Sequence, residues 1–244
     1  MATLGNLGPD IAPAPGQIVR LTTGVDAYSR SQGSGLATQV AAGRHAQLLD
    51  GTDSKRLRVR LLEDGYPCWL ERRDWQVHGQ PAERPTPAAL HHDKIRLRLN
   101  QVLDFCEQAR CLPNRYLWGG SLGPNFDCSG LIQTAFASAG IWLPRDAYLQ
   151  ERFCQPVAVQ PGTYYLLEPG DLIFFGTAQR CTHVGLHLGE GRYVHSSGQE
   201  HGRNGIGIDN LHPQNPNPVA SHYRGELRGA GRVMHSHDGS PLPP

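Results

Sequence analysis

Tyr116-Leu-Trp-Gly-Gly-Ser-Leu-Gly-Pro-Asn-Phe-Asp-Cys-Ser-Gly130 decides the reading of this chain, because Thr182-His183-Val-Gly and then Val194-His195-Ser-Ser follow it. A thiol becomes a good nucleophile when a base or cation takes its proton, and that base needs a partner to hold it in one tautomer. One cysteine followed in order by two such histidines therefore points to thiol chemistry, with Cys128 as nucleophile. Cys128 is expected in the first turn of a helix, where unpaired N–H groups and the positive end of the dipole favour a thiolate. Leu131, Ile132, Ala135, Phe136 and Ala139 mark the buried face of that helix, and Gly140 supplies a left-handed stop. The backbone N–H of Cys128 is placed to help hold an oxyanion. The plain alternative is a core cysteine, the usual fate of a free thiol and the reading given to the other five.

Thr182-His-Val-Gly-Leu-His-Leu188 alternates, with Val184, Leu186 and Leu188 on one face of a strand and His183, Gly185 and His187 on the other. If Gly189-Glu-Gly191 is a three-residue hairpin turn, Leu188 faces Arg192 and Gly185 faces His195. His195 then lies diagonally beside His183, with Gly185 leaving room between them. In this arrangement His183 is the base to Cys128, and His195 orients the far nitrogen of His183. A one-residue slip would undo it. A metal reading would draw on Cys181, His183, His187 and His195, but His183 and His187 lie about 13 Å apart along an extended strand, too far to share an ion. No metal and no cofactor are expected.

The 244 residues, 39% of them hydrophobic, suffice for one large domain or two smaller ones. A formal charge of +1 creates no field that would select nucleic acid or an anionic membrane, so neither is expected as a partner. The N-terminal sequence lacks a secretory pattern, and no stretch reaches the length of a membrane span. Six cysteines without framework spacing or a C-x-x-C are expected as free thiols in the cytoplasm. Residues 1–16 read as a flexible tail and 17–80 as a small all-β barrel, with strand character in Ile18–Leu21, Gln47–Leu49, Leu57–Leu62 and Trp69–Leu70. In the third of these, Leu57, Val59 and Leu61 point inward and Arg56, Arg58 and Arg60 outward. The Pro-rich residues 81–89 read as a linker. In the second domain, residues 90–235, one amphipathic helix is expected through Ile95, Leu99, Val102, Leu103, Cys106 and Ala109. The Cys128 helix and then a sheet beginning at Leu172-Ile-Phe-Phe175 come after it. Residues 236–244 read as a disordered tail.

With Asp127-Cys-Ser-Gly130, His183-Val-Gly185 and His195-Ser-Ser197 in order, the chain resembles the NlpC-type papain-like cysteine peptidases of bacterial cell-wall metabolism. The likeness extends through Tyr116–Gly120, Leu143-Pro-Arg-Asp-Ala147 and Pro169-Gly-Asp-Leu-Ile-Phe-Phe-Gly176. Glu63-Asp-Gly-Tyr-Pro-Cys-Trp-Leu70 resembles the SH3-like domain that precedes the catalytic domain in two-domain, peptide-recycling members. The resemblance implies an α+β fold: a papain-like domain of helices packed on an antiparallel sheet, preceded by an SH3-like β-barrel. It implies cleavage of peptidoglycan stem peptides between γ-D-glutamyl and a diamino acid. Cys128 would be nucleophile, His183 base, His195 its orienting partner, and Tyr116 a holder of the oxyanion. Asp127, Ser129 and Tyr66 would line a pocket for a free L-alanine terminus, with the carboxylates of Glu63 and Asp64 beside it and Ser196 and Ser197 also facing substrate. The rivals are an acyltransferase or amidase of the same Cys–His class and a non-catalytic wall-binding protein.

Overall fold

The computed structural model describes residues 12–50 and 55–240. Most of the tail read at 1–16, and residues 241–244 of the tail read at 236–244, lie outside the described residues. The chain divides into two compact units, one running to Pro87 and including the residues from His237 onward, the other Ala88–Ser236.

The first unit contains β1 (Ile18–Leu21), β2 (Val25–Tyr28), β3 (Leu36–Val40), β4 (His45–Asp50), β5 (Arg56–Leu61), β6 (Pro67–Glu71), α1 (Arg72–His78) and β7 (Gly79–Pro81). The strands form one antiparallel sheet in the order β3-β2-β6-β5-β4-β1-β7. Leu57, Val59 and Leu61 enter its core with Val19, Leu21, Leu48 and Leu70, and Trp75 of α1 completes that core. Arg56 departs from the expected outward alternation. It is buried over the Tyr28 ring, its guanidinium carbon 3.4 Å from the ring centroid, and paired with Glu71 at 2.8 Å. The stem of an arginine packs well on an aromatic face when its charge is answered.

The segment that follows residue 12 is not loose, since Gly16 N–H donates to the Leu48 carbonyl at 2.8 Å. The tail read as disordered from residue 236 is likewise packed as far as Ser240. Ser236 and His237 are buried, and Gly239 and Ser240 lie against Leu62 and Gly65. A partner so far away in sequence leaves no local periodicity to read.

The second unit contains α2 (His92–Arg96), α3 (Leu99–Cys111), the hairpin β8 (Ser121–Leu122) and β9 (Asn125–Phe126), α4 (Cys128–Ser138) and α5 (Ala147–Phe153). Beyond these come β10 (Gln155–Val157), β11 (Leu172–Gly176), β12 (Cys181–Gly189), β13 (Arg192–Ser197), β14 (Gly205–Asn210), α6 (Pro218–Gly225) and β15 (Leu227–Arg232). Its antiparallel sheet has the order β10-β15-β11-β12-β13-β14. Helices cover both faces. Leu172, Phe174, Val184, Leu186 and Val194 pack on α3 and α4, while Ile173, Phe175 and Tyr193 pack on Val219 and Tyr223 of α6. That is why β11 reads as a continuous apolar run rather than an alternation.

The single helix expected through Ile95–Ala109 is two. Leu97 and Arg98 form a turn between α2 and α3, Leu97 is 79% exposed, and Arg98 reaches the Ala139 carbonyl at 2.8 Å. That bond fixes Arg98 to the end of α4. There Gly140 at φ 73° closes the helix as expected, its N–H on the Ala137 carbonyl and the Ile141 N–H on Phe136.

Candidate functional site

Asp127 caps α4, accepting from Gly130 N–H at 2.6 Å and from Gly119 N–H at 2.8 Å. Arg145, from the stretch between α4 and α5, closes on the same carboxylate at 3.1 and 2.6 Å and on Ser129 Oγ at 2.9 Å. Ser129 Oγ donates back to Asp127 at 3.4 Å. All of these groups are buried. The roughly four acceptor sites of the Asp127 carboxylate are thereby used within the protein. Asp127 and Ser129, expected to bind substrate, hold the loop and the helix that present Cys128.

Cys128 is buried, with its sulfur 4.0 Å from the Thr182 carbonyl and within reach of the N–H groups of Val184 and Ser129. Thr182 and Val184 flank His183. The paired register of β12 with β13 begins at Leu186 opposite Val194, so the sulfur meets strand backbone beyond that ladder. Burial, helped by Asp127, pushes the thiol up to about 12, although both N–H groups and Arg145 pull the other way. The expected lowering is thus outweighed by burial, and the resting sulfur is a thiol.

The offset of Leu186 opposite Val194 is the one that sets Gly185 opposite His195. Only the turn differs from expectation. Gly189, not Leu188, faces Arg192, and Glu190 and Gly191, both at positive φ, form a two-residue loop whose extra strand residue is absorbed as a bulge. His183 Nε2 lies 2.7 Å from His195 Nδ1, and His195 Nε2 lies 2.8 Å from Asp209 Oδ2. Arg203 reaches the same Asp209 oxygen at 2.5 Å. A Cβ on residue 185 would come within 2.8 Å of the Tyr193 ring and 3.5 Å of the His195 Cβ, so glycine is what lets the two imidazoles meet. Burial holds His183 well below the usual histidine range, with the charges of His195, His201 and His222 adding to it. Burial also lowers His195, against the pull of Asp209.

His183 stacks on Tyr223 of α6, centroids 4.1 Å apart, and the Tyr223 hydroxyl pairs with Ser197 Oγ at 2.8 Å. Ser196 Oγ donates to the Phe126 carbonyl at 2.7 Å. Ser196 and Ser197 are fully buried. Expected to face substrate, they tie β13 to α6 and to the strand before Cys128. Tyr116 is half-buried, its N–H on Asn204 Oδ1 at 3.2 Å. Burial and then the charge of Cys128 push its phenol up, which keeps it a hydrogen-bond donor.

In the first unit, Glu63 accepts from His45 N–H at 2.7 Å and from Arg44 at 3.3 Å, and Asp64 pairs with Arg44 at 2.7 Å and accepts from Tyr66 N–H at 3.1 Å. Both carboxylates are buried and answered by Arg44. Expected to meet a substrate amine, they serve their own unit, and the Tyr66 side chain packs partly on its core. His187 is held by the Glu168 carbonyl at 3.0 Å and by Gly191 N–H at 3.1 Å. Among the described residues no three His, Cys, Asp or Glu side chains are grouped to hold a metal ion.

Arg145, Tyr223, Asp209 and Arg203 were not singled out from the sequence. Asp209 had a usable signal. Gly205-Ile-Gly-Ile-Asp alternates, and Asp209 falls on the buried side with Gly205 and Gly207.

A thiol at a helix N-terminus, against the antiparallel strand that carries a histidine, places the second unit in the papain-like class. Residues 113–224 match the NlpC/P60 family and residues 28–74 the bacterial dipeptidyl-peptidase SH3 domain. The chain therefore carries an NlpC/P60 domain behind an SH3-like domain. It is similar to gamma-D-glutamyl-L-lysine dipeptidyl-peptidase of Bacillus cereus, 34% identical over 139 residues, which is 56% of this chain and 37% of that protein. It is also similar to probable endopeptidase p60 of Listeria monocytogenes, 34% identical over 129 residues, 53% of this chain and 23% of that protein. The chain thus spans well under half the length of either relative. A solved structure of an NlpC/P60 family protein from Bacillus cereus is 27% identical and covers 90% of this chain and 64% of that one, with a TM-score of 0.45.

Proposed function

We propose that this chain is a cysteine endopeptidase of peptidoglycan stem peptides that cleaves after γ-D-glutamyl, before a lysine or diaminopimelate, in peptides with a free N-terminal L-alanine. The observation that carries it is the Cys128 sulfur against the backbone on both sides of His183, with the far nitrogen of His183 bonded to His195. The thiol proton passes to His183 as sulfur attacks the γ-carbonyl, and the oxyanion is met by Cys128 N–H and the Tyr116 hydroxyl. Collapse breaks the C–N bond, and the leaving amine takes the proton from His183. Water, deprotonated by His183, then cleaves the thioester and frees the thiol.

The finer choice of bond and of a free terminus draws on the SH3-like domain type and on the name of the Bacillus cereus relative. Cytoplasmic peptide recycling is the setting proposed, supported by cysteines that are all unpaired. Among the described residues no helix is long and apolar enough to cross a membrane.

Mass spectrometry of products from L-Ala-γ-D-Glu-diaminopimelate and its lysine counterpart tests the proposal. Hydrolysis to L-Ala-γ-D-Glu supports it. Transfer to an added amine in place of water, or an unchanged peptide, overturns it in favour of an acyltransferase or a binding protein.

A further inference from the structure

The bonds behind His183 determine where its proton sits. Asp209 Oδ2 faces His195 Nε2 at 2.8 Å and Arg203 at 2.5 Å. A carboxylate paired with a guanidinium is an acceptor, so the proton of the first bond belongs to His195 Nε2. A neutral imidazole has one N–H, and burial keeps His195 in that neutral form. Its Nδ1 is therefore bare and accepts from His183 Nε2 across 2.7 Å. His183, also neutral through burial, has then committed its one proton to His195. Its Nδ1 is the ring nitrogen nearest its own backbone, and the Cys128 sulfur lies against that backbone at Thr182 and Val184.

We infer that Asp209, held by Arg203, is a positioning residue that sets the tautomers of both histidines and leaves the lone pair of His183 Nδ1 free for the Cys128 proton. Its effect on turnover rests on the proposed thiol mechanism, whereas the tautomers can be read without substrate. Arg203 also orients the consequence of a substitution. In Asp209→Asn the amide oxygen takes the place of the shared Oδ2 and accepts from both Arg203 and His195 Nε2, so the tautomers are kept. In Asp209→Ala that acceptor is gone, and water serves either tautomer.

The test is ¹⁵N-histidine NMR of the full chain, with kinetics of the two variants. In the wild type, His183 and His195 are each expected protonated at Nε2 and bare at Nδ1. Asp209→Asn is expected to keep both assignments, and Asp209→Ala to show a mixture at each ring. Asp209→Ala should lose roughly tenfold or more in kcat with KM little changed, a part of what a correctly protonated general base contributes, and Asp209→Asn should recover most of it. A merely structural role leaves the tautomers of Asp209→Ala as they are in the wild type. A proton on His183 Nδ1 in the wild type, or unchanged tautomers in Asp209→Ala, overturns the inference. The expected tautomers in a wild type that cleaves no stem peptide uphold it and overturn the proposed function.

Discussion

Arg145 grips both oxygens of Asp127, at 3.1 and 2.6 Å, and the same carboxylate caps the helix whose first residue is Cys128. One buried ion pair therefore fixes the height and direction of the sulfur. Removing the cation leaves a buried carboxylate that keeps only its N–H and hydroxyl donors, a change that costs about 3–5 kcal/mol. Arg145→Ala should be destabilised by about that much in denaturant unfolding, and its kcat should fall with it. A loss below about 1 kcal/mol would show that Asp127 is satisfied without the pair.

The thiols sort by exposure rather than by acidity. Cys111 is exposed, whereas Cys68, Cys106, Cys128, Cys154 and Cys181 are buried, and burial raises all five. Peptide mapping after brief iodoacetamide treatment should find Cys111 labelled first with activity intact. Slower labelling of Cys128 should track inactivation. In Cys111→Ser the loss of activity and the labelling of Cys128 should coincide, and inactivation that instead follows label on Cys111 would count against the assigned nucleophile.

Buried neutral histidines make the fold acid-sensitive. His183, His187 and His195 are all lowered by burial. Below the ordinary histidine value of about 6.5, the unfolded chain takes up protons at these positions that the folded chain refuses. Stability is therefore complete above that pH and falls as pH drops from it towards the folded-state values. Denaturation midpoints should be lower at pH 5.5 than at 7.5, and His183→Gln should lose part of the difference. Equal midpoints at the two pH values would mean that these histidines titrate normally in the folded chain.

The catalytic end of the β12–β13 pair was legible because strand periodicity and offset together fix which side chains meet. The turn was not, since Glu190 at φ 54° adopts a conformation that its identity does not announce, and the bulge that compensates is invisible in the pattern. The Cys128 helix was legible from its apolar spacing and its Gly140 stop. The internal partners of Asp127, Ser129, Ser196 and Ser197 were not, because Arg145, Phe126 and Tyr223 lie too far along the chain for local spacing to show them. Strands β2 and β3 escaped notice because Val25-Asp-Ala-Tyr28 and Leu36-Ala-Thr-Gln-Val40 are short and weakly apolar, and gain their order from neighbours across the sheet.

Selection for a free terminus is part of the proposed function. The charges of Glu63 and Asp64 are answered by Arg44 within their own unit, so Tyr66 is the residue of that unit to vary. L-Ala-γ-D-Glu-diaminopimelate should be cleaved at least tenfold more efficiently than its N-acetylated form, about 1.4 kcal/mol or more of transition-state binding. Tyr66→Ala should narrow that ratio. Equal kcat/KM for the two peptides would remove the SH3-like domain from substrate selection.

The most direct measurement is turnover of the free stem peptide by Cys128→Ala, His183→Ala and the double variant, each checked for native folding. Cys128 and His183 act on the same thioester steps, so each single change should abolish cleavage and the double variant should be no worse. His195→Ala should keep a measurable residue, since water can replace an orienting group in part. Wild-type turnover in folded Cys128→Ala would contradict the account.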